Sequence, residues 1–201
     1  MRLFLSPTSP FAREVKVALA EKNLLESTEQ VYVDPWSSPS ELLDVNPLSQ
    51  VPTLELDDGQ VLTNSSTIFQ WLEIAYPTPR LLPERPADCA RVLGTAALAQ
   101  GVIESVVYVV IEGRKPKAQQ SEKMLDRRSA GIGRVLDALE KKFDASREHF
   151  MLDGLQTGCA LEYVNLRLPD FAWQNRCPRL KEWLEWAAAR PSMKQSAPPR
   201  Q

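Results

Sequence analysis

The most constraining feature of this sequence is a hairpin pattern in residues 49–71. Two short apolar runs, residues 53–56 and 61–62, flank Asp57-Asp58-Gly59-Gln60. An Asp-Gly step between apolar runs is a strong signal for a turn that joins antiparallel strands. The sequence therefore predicts a β-hairpin at this point.

The residues on either side of the hairpin predict a small polar site. Pro52 favours an extended conformation at Val51, so that the backbone N–H and C=O of Val51 are left for a partner outside the sheet. After the hairpin, Asn64 or Ser65 is the expected N-cap of a helix with an apolar stripe at Ile68, Leu72 and Ala75. A helix N-terminus beside an unpaired strand backbone suits a peptide-like ligand that carries a carboxylate.

The chain before the hairpin predicts a strand-helix-strand unit. Residues 2–5 and 29–33 have strand patterns, and between them Ser9 is the expected N-cap of a helix whose first residue is Pro10. A right-handed crossover would make the two strands parallel neighbours. Residues 40–45 favour one or two helical turns, so the predicted order to about residue 76 is β-α-β-α-β-β-α.

Clustered prolines then indicate a domain boundary, because proline removes a backbone donor and opposes helix formation. We predict a first domain at 1–78, a proline-rich linker at 79–87 and an all-α domain at 88–201. Beyond the linker, apolar residues recur at helical spacing in a first stripe and a second stripe. The two stripes are Val92, Ala96, Ala99, Ile103, Val106 and Val110, and Leu125, Ile132, Val135, Leu136, Leu139 and Phe143.

Composition excludes several classes of function. A net charge of -2 argues against nucleic acid or an anionic membrane as the main partner. Residues 1–5 lack the long apolar core of a signal peptide, and no uninterrupted apolar run approaches about 20 residues, so we predict a cytoplasmic protein. Three cysteines without CxxC spacing suit reduced thiols. With His149 as the sole histidine, we predict no metal site.

The chain resembles a cytosolic glutathione transferase of the bacterial type over nearly its full length. No single tetrapeptide decides this resemblance, which depends on the order and spacing of several motifs. They are Thr8-Ser9-Pro10-Phe11-Ala12-Arg13-Glu14-Val15, Asn46-Pro47, Val51-Pro52-Thr53-Leu54, Leu62-Thr63-Asn64-Ser65, Arg167-Leu168-Pro169-Asp170, Cys177-Pro178 and Arg190-Pro191-Ser192-Met193.

The resemblance implies a thioredoxin-like N-terminal domain, a cis peptide bond before Pro52, an active site at the domain cleft and a homodimer. Glutathione is the implied co-substrate. Ser9 would donate a hydrogen bond to its sulfur and favour the thiolate, which is the nucleophilic form. By the same resemblance, the backbone of Val51 before Pro52 would pair with the cysteinyl part of glutathione. Asn64 and Ser65 would hold its γ-glutamyl end.

Other interpretations of these residues stay open. Ser9 and Ser65 are both consistent with plain helix caps, and Thr8 is the alternative hydroxyl for the sulfur. Pro52 alone would more often be a trans edge proline. Arg13 fits the solvated face of its helix better than a ligand site.

Three further features of the sequence bear on the candidate site. Residues 114–117 form a basic loop that is most simply solvated, although it would suit an anionic acceptor. Trp36 and Tyr108 are more often core or interface than cleft residues. Asn64 stands where the family usually has an acid, and Ser49 where glycine is common.

The leading hypothesis from the sequence is an enzyme that conjugates glutathione to small electrophiles. The rival is a protein of the same fold that binds ligands or other proteins with little turnover. Peroxidase, dehalogenase and isomerase activities remain open on this fold.

Overall fold

The computed structural model describes residues 1–146 and 150–199, which form two compact units. The first unit contains residues 1–81 together with the chain from Arg190 onward, and the second contains residues 82–189. His149, the sole histidine of the sequence, lies outside the described residues.

The first unit contains a four-stranded mixed sheet in the described part of the chain, with strand order β2-β1-β3-β4. β1 and β2 are parallel, as predicted, whereas β1 with β3 and β3 with β4 are antiparallel. Gly59 lies in the predicted turn with a φ of 82°, a conformation that glycine adopts without steric cost. The strands are β1 (Arg2–Leu5), β2 (Glu29–Tyr32), β3 (Thr53–Glu55) and β4 (Val61–Thr63).

Helices α1 (Pro10–Glu21), α2 (Ser40–Leu43) and α3 (Ser65–Ala75) complete the predicted β-α-β-α-β-β-α order. Local chemistry sets their ends. Pro10 occupies the first turn of α1, and the side chain of Ser9 caps it. Asn23, just after α1, has the left-handed φ of 60° that commonly ends a helix. The thioredoxin-like arrangement implied by the resemblance is therefore present.

A short helix, α8 (Pro191–Gln195), packs on α1 in the first unit. Arg190 donates two hydrogen bonds to the Glu21 carboxylate, at 2.7 and 3.1 Å, and the Ser192 hydroxyl donates to the same carboxylate. The predicted second domain, 88–201, thus differs from the observed unit at its end. The physical reason is this bidentate ion pair, which holds the last segment against α1.

Lys22, at the C-cap of α1, ties α1 to the end of α3. Its side chain is fully buried, and its ammonium group lies 2.6 Å from the Glu73 carboxylate. The same nitrogen donates to the carbonyl oxygens of Tyr76 and Pro79, at 2.7 and 2.8 Å. The peptide bond before Pro79 is cis, as is the one before Pro52.

In the described part of the second unit every regular element is a helix, as predicted. Within it, α4 packs against α5 and α6, and α7 against both α5 and α6. The core follows the predicted stripes, with Ala99, Ile103 and Val106 of α4 fully buried. The predicted linker, 79–87, overlaps the start of α4 at Pro86. The helices are α4 (Pro86–Gly113), α5 (Glu122–Lys142), α6 (Leu152–Arg167) and α7 (Pro178–Ala188).

By length and composition alone, α4 is apolar enough to cross a membrane, with a mean hydropathy of 1.6 over 18 residues. This corrects the expectation that no segment approaches a membrane span. That expectation counted uninterrupted apolar runs, whereas the apolar residues of α4 are spread around the helix and include the exposed Leu93 and Leu98. The observation is weak evidence for a membrane, because core helices of soluble bundles meet the same criterion.

Candidate functional site

Sheet register brings the predicted site segments to one edge of the first unit. Phe4 pairs with Thr53, and Thr53 pairs with Thr63. Because both pairings are antiparallel, the chain that leaves β1, the chain that enters β3 and the chain that leaves β4 lie at the same edge of the sheet. These three segments carry Ser9, Val51 and Asn64 in turn.

Ser9 lies at the N-terminus of α1 with part of its hydrogen-bonding capacity in use. Its Oγ accepts a hydrogen bond from the backbone N–H of Ala12 at 3.2 Å, which is an N-cap contact. A hydroxyl group accepts and donates at once, so the Ser9 hydrogen is left to donate. The positive end of the α1 dipole favours an anion at this point. Cap and ligand donor are therefore compatible roles for Ser9.

Val51 presents its backbone as the sequence predicts. Its peptide bond to Pro52 is cis, and Val51 lies just outside β3, which begins at Thr53. Within residues 1–146 and 150–199, neither the N–H nor the C=O of Val51 has a hydrogen-bond partner. Val51 is half-buried, and an unpaired extended backbone of this kind suits a peptide-like ligand.

Asn46 holds the loop before Val51 and was not identified as a site residue from the sequence. Its buried side-chain amide donates to Gln50 O at 3.1 Å and to Thr53 Oγ1 at 2.9 Å, and its oxygen accepts from Leu48 N at 3.0 Å. These bonds fix the loop from both sides. The signal that was present, Asn46 before Pro47, predicts a turn but does not say what the amide contacts.

Asn64 is the N-cap of α3, which settles the choice between Asn64 and Ser65. Its Oδ1 accepts from Ser66 N at 2.9 Å, and its φ is 73°. Ser65 is the first helical residue and is only 2% exposed. Its hydroxyl has no hydrogen-bond partner among the described residues. Ser65 therefore keeps a polar group at the N-terminus of α3 that the chain itself does not use.

Two further expectations are modified by the structure. Arg13 does not lie on a solvated helix face, since it is 8% exposed and its guanidinium donates to Met193 O at 3.4 Å. The packing of α8 on α1 covers it. Ser49 has a φ of 50°, a left-handed conformation that explains why glycine suits this position.

The two candidate aromatic residues lie in different settings. Trp36 is 68% exposed in a short 3-10 turn, Pro35–Ser37. Tyr108 on α4 lies under the guanidinium group of Arg128, whose central carbon is 5.1 Å from the centre of the Tyr108 ring. The three cysteines are free thiols. Over the described ranges, no group of three or more His, Cys, Asp or Glu side chains is placed to hold a metal ion.

Known proteins resemble this chain in sequence and in fold. Residues 3–80 match the family profile described as "Glutathione S-transferase, N-terminal domain". The uncharacterised GST-like protein YibF of Escherichia coli K12 is 31% identical over the full length of both chains. A stringent starvation protein A homologue of Histophilus somni is 34% identical over 62% of this chain and 55% of its own.

A solved relative carries glutathione. A glutathione transferase family member from Pseudomonas fluorescens Pf-5, with bound glutathione, is 33% identical, with a TM-score of 0.92 over 99% of each chain. The same protein with bound S-(propanoic acid)-glutathione matches over 100% of each chain, with a TM-score of 0.89.

Proposed function

Because this chain belongs to the glutathione S-transferase family, we propose that it conjugates the thiolate of glutathione to small electrophiles. The observation that carries the proposal is the set of unused polar groups at one sheet edge. They are the hydroxyl hydrogen of Ser9, the backbone of Val51 and the hydroxyl of Ser65. The glutathione bound to a full-length relative supports the same ligand.

In this proposal, each group meets a different part of glutathione. Val51, beside Pro52, pairs with the cysteinyl backbone, while Asn64 and Ser65 hold the γ-glutamyl end at the N-terminus of α3. Ser9 donates to the sulfur and lowers the pKa of the thiol, which loses its proton to solvent. The thiolate then forms a sulfur–carbon bond with the electrophile, and a leaving group departs with its electron pair. The chemistry needs no metal.

The proposed setting is a cytoplasmic enzyme that removes reactive electrophiles, that is, detoxification. The helical unit would supply the acceptor site. The P. fluorescens relative binds a conjugate whose sulfur substituent ends in a carboxylate, which supports acceptors of similar size for this chain.

Retention on immobilised glutathione together with turnover of 1-chloro-2,4-dinitrobenzene tests the proposal. Retention with turnover supports a transferase. The second candidate is a binding or protein-interaction module of the same fold, which is favoured by the similarity to stringent starvation protein A homologues. Retention without turnover of any electrophile would favour that second candidate. The absence of both retention and turnover would reject glutathione as the ligand.

Asn64→Asp is expected to tighten glutathione binding several-fold. Aspartate keeps the short oxygen that caps α3 and tolerates the positive φ of Asn64. It also adds a charge that pairs with the α-ammonium group of the γ-glutamyl end, and an exposed pair contributes about 0.2–1 kcal/mol. Asn64→Glu, the family-like change, adds the same charge but strains the φ of 73°. Calorimetric titration with glutathione measures the effect.

A matched control for that titration is Asn23→Asp, which adds the same charge at another residue with positive φ, in the exposed turn after α1. Its glutathione affinity should equal that of the wild type. If Asn64→Asp binds glutathione equally or more weakly, the γ-glutamyl end is held elsewhere and the role given to Asn64 is wrong.

We also expect a homodimer. Leu93 and Ile111 of α4 are 45% and 37% exposed. They lie on one face of the helix, because they are five whole turns apart, and burying them against a second copy would be favourable. Sedimentation at micromolar concentration should give twice the chain mass of 22.6 kDa. Leu93→Lys should shift the equilibrium towards monomer, whereas a wild-type mass of a single chain would refute the dimer.

A further inference from the structure

Two buried side chains hold the carbonyl group that precedes Val51. The carbonyl oxygen of Gln50 accepts a hydrogen bond from the side-chain amide of Asn46 at 3.1 Å and another from the Thr53 hydroxyl at 2.8 Å. The same amide nitrogen of Asn46 also donates to Thr53 Oγ1 at 2.9 Å. Asn46 and Thr53 are both buried, so water competes little for these bonds. We call Asn46 and Thr53 the Gln50 clamp.

The Gln50 clamp fixes the direction of the Val51 N–H. The C=O of Gln50 and the N–H of Val51 belong to one planar peptide unit, and the bond between these two residues is trans. In a trans peptide unit the C=O and the N–H point in opposite directions. Because two hydrogen bonds hold the Gln50 oxygen towards the clamp, the Val51 N–H points away from the clamp. That N–H has no hydrogen-bond partner among the described residues.

The turn before Val51 does not by itself require these bonds to the Gln50 oxygen. Asn46 forms the turn through its other polar groups, since its Oδ1 accepts from Leu48 N at 3.0 Å and its C=O accepts from Ser49 N at 2.9 Å. The Thr53 hydroxyl takes no part in that turn. A carbonyl that accepts hydrogen bonds is also polarised by them, so the N–H of the same peptide unit becomes a stronger donor.

We infer that the Gln50 clamp positions glutathione. It aims the Val51 N–H at the cysteinyl carbonyl group and so sets the affinity for glutathione without contacting the ligand. Asn46 and Thr53 are therefore positioning residues, whereas Ser9 acts on the sulfur. The inference rests on the proposed function, because it assigns what holds Val51 in place for that ligand. A donor that is already fixed loses less conformational entropy on binding, so a looser clamp weakens binding and leaves the chemistry of the thiolate unchanged.

Thr53→Val tests the inference, because valine keeps the shape of threonine and removes only the hydroxyl. This variant should bind glutathione about five- to tenfold more weakly by calorimetry, which is the effect of losing one ordinary hydrogen bond. The kcat at saturating glutathione and the thiol pKa of bound glutathione should stay unchanged, since Ser9 is intact. Thr53→Ser keeps the hydroxyl and should bind glutathione as the wild type does. Asn46→Ala should weaken binding by more than about tenfold, because it removes more hydrogen bonds.

Thr28→Val is the matched control for Thr53→Val. Thr28 is also buried, and its hydroxyl donates to Leu24 O at 2.8 Å. It lies just before β2, where the parallel pair of β1 and β2 begins, at the sheet edge opposite to the one that carries Val51. Thr28→Val should lose stability but keep the wild-type affinity for glutathione. A merely structural role of the Gln50 clamp would make Thr53→Val behave in the same way as Thr28→Val.

The outcomes separate the inference from the proposed function. Equal glutathione affinity of the wild type and Thr53→Val would overturn the inference and leave the proposed function standing. A loss of affinity in Thr28→Val as large as that in Thr53→Val would also overturn it. A wild type that does not bind glutathione would overturn both the inference and the proposed function. Because Thr53→Val keeps the side-chain shape, it tests the inference even if Asn46→Ala does not fold.

Discussion

Ser9→Ala is expected to slow conjugation by about 10- to 100-fold while the protein stays folded. A hydrogen bond to a charged acceptor contributes about 1.5–3 kcal/mol, so its loss should raise the pKa of bound glutathione by about one to two units. The Ser9 hydroxyl hydrogen is placed for this role, because Oγ accepts from Ala12 N and keeps its hydrogen to donate. The measurement is the thiolate absorbance of bound glutathione, titrated against pH.

A second variant separates the two roles of Ser9. Alanine also removes the N-cap of α1, at a cost of about 0.5–2 kcal/mol, whereas glycine at an N-cap costs only a few tenths. Ser9→Gly should therefore show the same rise in thiol pKa with little loss of stability. Thr8→Val is the control for the alternative hydroxyl. If Thr8→Val raises the thiol pKa and both Ser9 variants leave it unchanged, the sulfur contact belongs to Thr8.

Lys22→Met is expected to lower the free energy of unfolding of the first unit by about 3–5 kcal/mol, the usual cost of removing one partner of a buried ion pair. The change leaves the Glu73 carboxylate without its cation and two carbonyl oxygens, of Tyr76 and Pro79, without their donor. Urea unfolding, monitored in the wild type and the variant, measures the difference.

Two controls accompany the Lys22 measurement. Lys16→Met removes a half-exposed ammonium from α1 that contacts the exposed Tyr32 hydroxyl at 3.2 Å, and it should change stability by less than about 1 kcal/mol. The double variant Lys22→Met with Glu73→Gln should recover part of the loss, since the carboxylate charge that lost the Lys22 ammonium is then absent. If Lys22→Met is as stable as Lys16→Met, the buried ammonium does not hold α1 to the end of α3.

Local signals account for what the sequence predicted correctly. The β-α-β-α-β-β-α order, the Ser9 cap with Pro10 behind it, the Asp-Gly turn at Gly59 and the left-handed Asn23 all depend on residues a few positions apart. Such signals are set by backbone sterics and capping hydrogen bonds, which a short stretch of chain contains within itself. The right-handed crossover rule then supplied the parallel pairing of β1 and β2.

The candidate site was predictable for the same reason, up to its supporting contacts. Ser9, Val51 and Ser65 follow from cap and strand patterns together with the family resemblance, and the sheet register gathers their segments at one edge. Asn46 was not predicted as a site residue. Its buried amide forms hydrogen bonds with Gln50, Thr53 and Leu48, and the local sequence carries no signal for these contacts. Asparagine has the same local pattern whether its side chain faces water or a loop.

Only the tertiary structure decided the contacts between residues that are distant in sequence. Arg190 and Glu21 are 169 residues apart, and Arg13 and Met193 are 180 apart, yet these pairs move the last segment into the first unit and bury Arg13. Helical periodicity tells which face of a helix is apolar, but it does not tell which other segment covers that face or which charge meets a given arginine.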